Sequence, residues 1–282
     1  MKHPDKWRET ADPFAIKFQR FQLENILGYP HAGNDVFHVE GIWESSRCRG
    51  YLKVQRQAGA DIAREAELLT ALPLRNLPEV LEWSADPVCW LLTKEAPGER
   101  LSTIVGSNEG MESMSYLPQY GKELAVLHSL TVEAPPVTDR RFFHLPKEEH
   151  FLRWHLEEIA EYLKMQQPEG ESRTFVHGDF HYANLLWQEG KLSAILDWEL
   201  AGQGSREFDM AWAVFRRPGQ RFLNSWKEVQ AFLAGYAERQ TFSLKAFCRW
   251  YVLIAVWFFP LGDDSDREQW RALIKQAMTA GA

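Results

Sequence analysis

The first third of the chain carries the hydrophobic patterns of strands and of one helix. Residues 50–54 form an apolar strand pattern, and residues 61–72 have helical periodicity with an acidic start. Residues 76–83 and 89–93 predict two further strands, and residues 31–39 predict a turn followed by a strand. Together these patterns predict a sheet accompanied by a single helix.

Most of the remaining chain has helical periodicity. The predicted helices cover residues 114–130, 148–165, 226–237 and 244–259. The longest apolar run, residues 250–259, is too short to span a bilayer and therefore predicts a buried helix.

A strand, a loop and a hairpin interrupt the helical patterns. Residues 174–176 form an apolar strand pattern, and the apolar runs at 185–187 and 192–196 flank Glu189 and Gly190. A glycine between two such runs is a hairpin signal. The sequence therefore predicts a loop that enters a β-hairpin.

Three side chains suited to phosphoryl transfer lie on this pattern. Asp179 follows the first strand, Asn184 comes five positions later, and Asp197 follows the hairpin thirteen positions beyond that. Folding the hairpin about its turn places Asn184 opposite Ile195, with Asp197 two residues further along. Phosphoryl transfer uses one carboxylate for the attacking hydroxyl, and an amide oxygen and a second carboxylate for magnesium. The spacing between Asp179 and Asn184 is also that of kinase catalytic loops, so the sequence predicts a kinase.

Two motifs extend this prediction to a known family. The first is HGDFHYAN at residues 177–184, and the second is ILDWELAG at residues 195–202, followed by EFDMA at residues 207–211. Together they resemble the catalytic motifs of the aminoglycoside phosphotransferase and choline kinase superfamily. In this resemblance His177 is a supporting residue of the catalytic loop.

The resemblance implies a role for each acidic or amide residue of the motifs. Asp179 would orient or deprotonate the acceptor hydroxyl, while Asn184 and Asp197 would hold magnesium. Asp209 would brace the catalytic loop without touching substrate. Glu199 stands where relatives carry a second acidic or small residue, and a metal role for it stays open.

The resemblance also implies a nucleotide-binding lysine in the first third. Lys53 lies inside a strand, where a lysine is unusual unless it faces a charge. By similarity to kinases it would bind the α- and β-phosphates and pair with a helix glutamate. Glu65 fits the spacing of the family better than Glu67. The alternatives are an edge-strand lysine for Lys53 and a solvated helix face for the glutamates.

Two further segments are assigned to the nucleotide by resemblance. Gly33 and Asn34 fall where the nucleotide-covering loop of the family lies, although an ordinary hairpin turn is the alternative. Glu95 and Ala96 belong to the predicted hinge, where adenine would hydrogen-bond to the backbone.

Composition is that of a soluble globular protein and limits the partners. The 282 residues permit two lobes, predicted as residues 1–96 with the nucleotide-binding sheet and helix, and residues 97–282 with the catalytic loop, metal site and acceptor-binding helices. Three cysteines without metal-ligand or redox spacing fit a reducing cytoplasm, and residues 1–7 lack the apolar core of a signal peptide. A net charge of −7 without a basic stripe argues against nucleic acid, and no membrane partner is predicted.

The expected fold is α+β and bilobal, like that of protein kinases, with an N-terminal antiparallel sheet lobe containing one helix and a mainly helical C-terminal lobe. The expected activity is transfer of the γ-phosphate of ATP or GTP, with magnesium, to a hydroxyl of a small molecule. The acceptor would be an antibiotic such as an aminoglycoside or macrolide, or a metabolite such as choline, ethanolamine or thiamine. The alternative is a catalytically silent nucleotide-binding or scaffold protein on the same fold.

The charge of the acceptor is a separate question. Aromatic residues concentrate after Asp209, and Asp263, Asp264, Asp266 and Glu268 lie close together in the sequence. Rings and carboxylates lining one cleft would favour a cationic acceptor. Helix packing and solubility are the alternatives for these rings and carboxylates.

Overall fold

The computed structural model describes residues 10–30, 33–56, 61–105, 113–166 and 173–282. His31 and Ala32 of the predicted turn, and the N-terminal segment considered as a signal peptide, lie outside the described residues. The chain divides into two compact units, Met1–Pro97 and Gly98–Ala282.

The N-terminal unit is a five-stranded antiparallel sheet with one helix, which confirms the predicted architecture. In space the strands follow the order β1-β2-β3-β5-β4. The predicted strand at residues 76–83 begins only at Val80, after Pro78, which has no N–H to give to a sheet. The elements are β1 Gln22–Gly28, β2 Asp35–Trp43, β3 Ser46–Val54, α1 Ile62–Ala71, β4 Val80–Ser84 and β5 Trp90–Lys94.

Strand alternation divides this sheet into two faces. Leu52 and Val54 of β3 are buried in the apolar core of the unit with Phe37 and Val39 of β2. Because successive strand side chains point to opposite faces, Lys53 lies on the other side of the sheet from Leu52 and Val54.

The C-terminal unit is mainly helical, as predicted. Its strands form a three-stranded sheet in the order β6-β8-β9 and a separate pair of β7 with β10. The strands are β6 Glu99–Arg100, β7 Arg173–Val176, β8 Leu185–Gln188, β9 Lys191–Ile195 and β10 Gly202–Ser205. The helices are α2 Leu101–Val105, α3 Ser113–His128, α4 Glu148–Trp154, α5 Glu157–Met165, α6 Arg206–Val214, α7 Trp226–Ala237, α8 Leu244–Phe258 and α9 Asp264–Ala280.

One detail of the helical prediction changes, and another is confirmed. The single helix predicted over residues 148–165 is two helices, because His155 adopts a left-handed conformation with φ of 52° and ends α4. The apolar segment Leu244–Leu261 is long and apolar enough to cross a membrane by composition, with a mean hydropathy of 1.4, but 61% of it is buried. Within the C-terminal unit α8 packs against α6 and α9, which confirms the predicted buried helix.

Candidate active site

The loop that follows β7 turns at a glycine. Gly178 has φ of 81°, in the left-handed region that favours glycine. A Cβ atom placed on it would lie 2.3 Å from the carbonyl oxygen of Leu200. Glycine therefore allows this loop to approach the segment that follows β9, and Asp179 comes directly after this turn.

A buried carboxylate anchors the loop to α6. Asp209, in the first turn of α6, is fully buried. Its Oδ2 accepts a hydrogen bond from the backbone N–H of His177, and its Oδ1 accepts one from that of Gly178, both at 3.0 Å. Two charge-assisted bonds away from solvent hold the loop against the helix. This geometry suits the bracing role expected of Asp209, whose effect on catalysis stays a prediction.

Buried polar side chains of α3 and α7 support this anchor. The His128 Nε2 lies 3.2 Å from Oδ2 of Asp209, and its Nδ1 lies 2.8 Å from the hydroxyl of Tyr236. Burial raises the pKa of Tyr236, so its hydroxyl keeps its proton. The arrangement that satisfies every group has Tyr236 donating to Nδ1 and Nε2–H donating to Asp209.

His177 lies within this buried part of the loop. Its Nδ1 accepts a hydrogen bond from the backbone N–H of Asp179 at 3.2 Å. Burial lowers the pKa of His177, which favours the neutral ring that this bond requires. The ring packs edge-on against Trp198, with centroids 4.6 Å apart. His177 therefore shapes the loop from inside.

Three side chains donate hydrogen bonds or lie close to the Asp179 carboxylate. Asn184 Nδ2 donates to Oδ2 at 2.9 Å and to the backbone carbonyl of Asp179 at 3.0 Å. Trp212 Nε1, from α6, donates to Oδ1 at 2.7 Å. His181 Nε2 lies 3.5 Å from Oδ2. Because His181 Nδ1 accepts the backbone N–H of Ala183, the ring proton is on Nε2 and faces the carboxylate.

These neighbours keep Asp179 ionised. Burial raises the pKa of Asp179, but the hydrogen bond from His181, the charge of Arg217 and the Trp212 indole lower it to about 2. Arg217 is fixed by Nη1, which donates to the carbonyls of Trp212 and Phe215 at the end of α6. A carboxylate with this pKa accepts hydrogen bonds at neutral pH but takes up a proton poorly, so it orients a hydroxyl better than it deprotonates one.

The predicted hairpin is present, but its register differs by one residue. The Leu196 N–H donates to the Asn184 carbonyl at 2.7 Å, so Asn184 lies opposite Leu196 rather than Ile195. The register shifts between Leu186 and Trp187, where β9 contains one extra residue. Such a bulge is invisible in the hydrophobic pattern. Because of the bulge, Asp197 is one residue beyond Leu196, the residue opposite Asn184. The prediction had placed it two residues beyond the residue opposite Asn184.

Asn184 and Asp197 offer oxygen atoms at the open end of this hairpin. Asn184 uses its Nδ2 for Asp179, which leaves Oδ1 as the atom suited to a cation. Asp197 is half-buried and has φ of 64°, a strained conformation of the kind found at functional sites. The next residue, Trp198, is buried and donates from Nε1 to the Ile195 carbonyl at 2.8 Å. Glu199 follows, also half-buried.

In the N-terminal unit a buried ion pair joins β3 to α1. Lys53 Nζ lies 2.7 Å from Glu65 Oε2, and only 16% and 5% of the two side chains are exposed. Glu67, the other glutamate considered, is exposed. Desolvating such a pair is costly, so its presence is more informative than that of a surface pair. A role of Lys53 and Glu65 in nucleotide binding stays a prediction.

The other residues assigned to the nucleotide have contacts within the N-terminal unit. Gly33, two residues before β2, has φ of 92°. Asn34 is buried, and its Oδ1 accepts the backbone N–H of Arg56 at 3.1 Å. At the predicted hinge, the Glu95 N–H donates to the Arg49 carbonyl. The Glu95 carboxylate lies 3.2 Å from His38 Nε2. The Asn34 amide therefore links the residue before β2 to the segment that follows β3.

The acidic cluster near the C-terminus has the contacts of a helix terminus. Asp263 and Asp266 form a capping box at the start of α9. Asp266 is buried and pairs with Arg216, and Asp264 pairs with Arg267 on the surface. These contacts account for Asp263, Asp264 and Asp266 without a ligand.

Sequence reasoning missed three residues that surround Asp179. His181 lies inside the first motif and was not assigned a role, although its position two residues after Asp179 was a usable signal. Trp212 and Arg217 lie far along the chain, and Trp212 resembled one more packing aromatic. Arg140 was also missed: its Nη2 donates to the Gly178 carbonyl at 2.7 Å.

Comparison with known families identifies the family of the chain. A family model described as "Phosphotransferase enzyme family" matches residues 31–251. The chain belongs to this family. The matched segment contains every residue assigned above to the loop, the hairpin and the Lys53–Glu65 pair. No curated protein matches the chain.

Solved structures with the same fold include antibiotic phosphotransferases. The aminoglycoside phosphotransferase APH(4)-Ia is 14% identical with a TM-score of 0.61, and the match covers 93% of this chain and 95% of that one. A thermostable mutant of it, in ternary complex with AMP-PNP and hygromycin B, has a TM-score of 0.59 at the same identity and coverage. The macrolide 2'-phosphotransferase MphH from Brachybacterium faecium is 15% identical with a TM-score of 0.53, covering 90% and 92%. At these identities the likeness establishes the fold, which confirms the predicted kinase-like α+β class.

Proposed function

We propose that this protein transfers the γ-phosphoryl group of a nucleoside triphosphate to a hydroxyl group of a small molecule. The observation that carries the proposal is the ionised Asp179 carboxylate, held by Asn184 on a loop that Asp209 anchors. Asp179 accepts a hydrogen bond from the acceptor hydroxyl. This bond points the oxygen of the hydroxyl at the phosphorus. Since the transition state of phosphoryl transfer is loose, orientation contributes more than early proton removal.

The co-substrates follow from the remaining residues. Asn184 Oδ1 and the Asp197 carboxylate are the hard oxygen ligands that magnesium prefers, and the ion would neutralise charge on the phosphates. Lys53, oriented by Glu65, binds the α- and β-phosphates. ATP and GTP are both compatible with this set.

Backbone groups are proposed to bind the adenine at the hinge and the phosphates at the covering loop. The Glu95 N–H is already bonded to the Arg49 carbonyl, so the Glu95 carbonyl and the Ala96 N–H are the groups assigned to a purine. Gly33 and Asn34 contribute backbone to the phosphates, because the Asn34 side chain is engaged elsewhere.

The acceptor belongs to one of two classes. An aminoglycoside phosphotransferase in complex with hygromycin B and a macrolide 2'-phosphotransferase share this fold, which supports an antibiotic. A hydroxyl-bearing metabolite such as choline, ethanolamine or thiamine is the other class. A cationic acceptor would depend on aromatic rings, because Asp263 and Asp266 are engaged in capping α9. The acidic net charge supports a small molecule over nucleic acid, and the free cysteines support a cytoplasmic location.

The test is nucleotide turnover against a panel of antibiotics and metabolites, with phosphorylated products identified by mass spectrometry. Asp179→Asn should lower kcat by about 10²–10⁴-fold or more while nucleotide affinity stays within a few-fold. Asp197→Asn, which tolerates the same left-handed backbone, should weaken magnesium-dependent nucleotide binding in calorimetric titrations. Unchanged turnover in Asp179→Asn would refute the assigned role. Nucleotide binding without turnover of any acceptor would favour the silent alternative.

A further inference from the structure

The Asp179 carboxylate has one hydrogen-bond position left open by its described neighbours. Each carboxylate oxygen offers two lone-pair directions. Oδ2 faces Asn184 Nδ2 at 2.9 Å and His181 Nε2 at 3.5 Å. Oδ1 receives one donor, Trp212 Nε1 at 2.7 Å. Within the part of the chain that the structure describes, the open position therefore belongs to Oδ1, beside the indole.

The direction of this indole N–H is fixed by packing. Trp212 is buried, and its ring contacts Phe142, Phe208 and Phe258 with centroids 4.9, 5.8 and 6.0 Å away. A ring enclosed in this way cannot turn without displacing its neighbours. The donor therefore approaches Oδ1 from one direction only.

Two guanidinium groups also lie close to the Trp212 ring. The Arg217 and Arg140 guanidinium carbons are 4.9 and 5.5 Å from its centroid. Cations near an aromatic face are attracted to its electrons, and drawing charge from the indole makes its N–H a stronger donor. Trp212 is therefore polarised toward Asp179 as well as held in place.

We propose that Trp212 is a positioning residue that fixes the plane of the Asp179 carboxylate and makes Oδ1 the oxygen that receives the acceptor hydroxyl. This inference depends on the proposed function. The torsion that rotates a carboxylate about its own axis is soft, and Asn184 and His181 restrain only Oδ2. Without the indole N–H the carboxylate turns, and the bound hydroxyl no longer points at the phosphorus. The loss falls on the chemical step, because the nucleotide is bound by other residues.

The experiment compares Trp212→Phe with Trp250→Phe. Phenylalanine at either position retains an aromatic ring in the same cluster, where Phe208 and Trp250 are 5.3 Å apart. The Trp250 Nε1 has no hydrogen-bond partner among the described residues, so Trp250→Phe controls for the loss of ring size. We expect Trp212→Phe to lower kcat by about 10- to 100-fold with the nucleotide KM within about two-fold, and Trp250→Phe to leave both near wild type. Equal losses in the two variants, or an unchanged kcat in Trp212→Phe, would overturn the proposal.

A measurement without turnover separates this inference from the proposed function. In ¹⁵N-labelled protein, the Trp212 indole N–H resonance is assigned by its disappearance in Trp212→Phe. We expect that resonance to move upfield in Asp179→Asn, because a neutral amide is a weaker acceptor than a carboxylate, while the Trp250 resonance stays in place. An unmoved Trp212 resonance refutes the positioning contact whatever the activity. A shifted resonance in a protein that phosphorylates no acceptor refutes the proposed function and the catalytic part of the inference, but not the contact.

Discussion

Replacing Asp209 with asparagine should release the catalytic loop from α6. The carboxylate accepts the backbone N–H groups of His177 and Gly178 on separate oxygens. Asparagine has nearly the same shape but only one acceptor oxygen, so its NH₂ group must face one of the two N–H donors. Because Asp209 is fully buried, water cannot replace the lost bond.

The size of the effect follows from these contacts. Losing one hydrogen bond to a charged group, and leaving a buried donor without a partner, should lower the free energy of unfolding by about 2–4 kcal/mol. For a unit of this length each kcal/mol lowers the melting temperature by about 2–4 °C. We therefore expect the transition of the C-terminal unit to fall by about 4–16 °C.

Scanning calorimetry of Asp209→Asn tests this expectation, with Asp264→Asn as the matched control. Asp264 has a fully exposed side chain and pairs with Arg267 only on the surface, so its substitution should change stability by less than about 0.5 kcal/mol. If the two variants melt together, within about 1 °C of wild type, the carboxylate of Asp209 does not hold the loop and our reasoning is wrong.

Three further predictions test other parts of the molecule. Lys53→Ala leaves a buried carboxylate without its cation, so it should weaken triphosphate binding in calorimetric titrations without abolishing magnesium dependence, whereas Lys94→Ala removes only a surface pair and should change little. Gly178→Ala should lower the free energy of unfolding in denaturant by about 3 kcal/mol or more, since its Cβ meets backbone, whereas Gly190→Ala, with open space around it, should cost about 1 kcal/mol. The pKa of Asp179 is lower in the folded than in the unfolded protein, so its charge contributes about 2 kcal/mol above pH 4 that is lost as the pH falls toward 2. Denaturant titrations at about pH 4 and about pH 2 test this. The free energy of unfolding should fall less between these pH values in Asp179→Asn than in the wild type.

The parts of the site that sequence could predict are local in the chain. The strand, loop and hairpin around Asp179 and Asn184 have their own turn and hydrophobic signals. The structure has β7, β8 and β9 at the segments where these signals predicted strands. The prediction placed Asn184 opposite Ile195, one residue away from its partner, because β9 contains a one-residue bulge. A bulge does not change the composition of the strand, so the hydrophobic pattern does not reveal it. Local patterns therefore identified which residues to examine, but not their exact pairing.

The parts that sequence could not predict depend on contacts between distant segments. Trp212 and Asp179 are 33 positions apart, and an indole that donates to a carboxylate has the same helical periodicity as one that only packs. Likewise, the sequence suggested that Asp263 and Asp266 bind a cationic ligand. In the structure they form the capping box at the start of α9. In both cases the hydrogen-bond partner decided the role, and no pattern in the sequence specifies the partner.

Helix α6 explains why the backbone and the side chain of the loop are held together. Residues three apart on a helix share a face, so Asp209 and Trp212 both face the loop, one bonding its backbone N–H groups and the other the Asp179 carboxylate. Moving α6 as a body therefore shifts the loop and its carboxylate together and preserves their mutual geometry. A substitution that alters only one of the two contacts breaks that coupling. This is why Asp209→Asn is expected to act on stability, and Trp212→Phe on the chemical step.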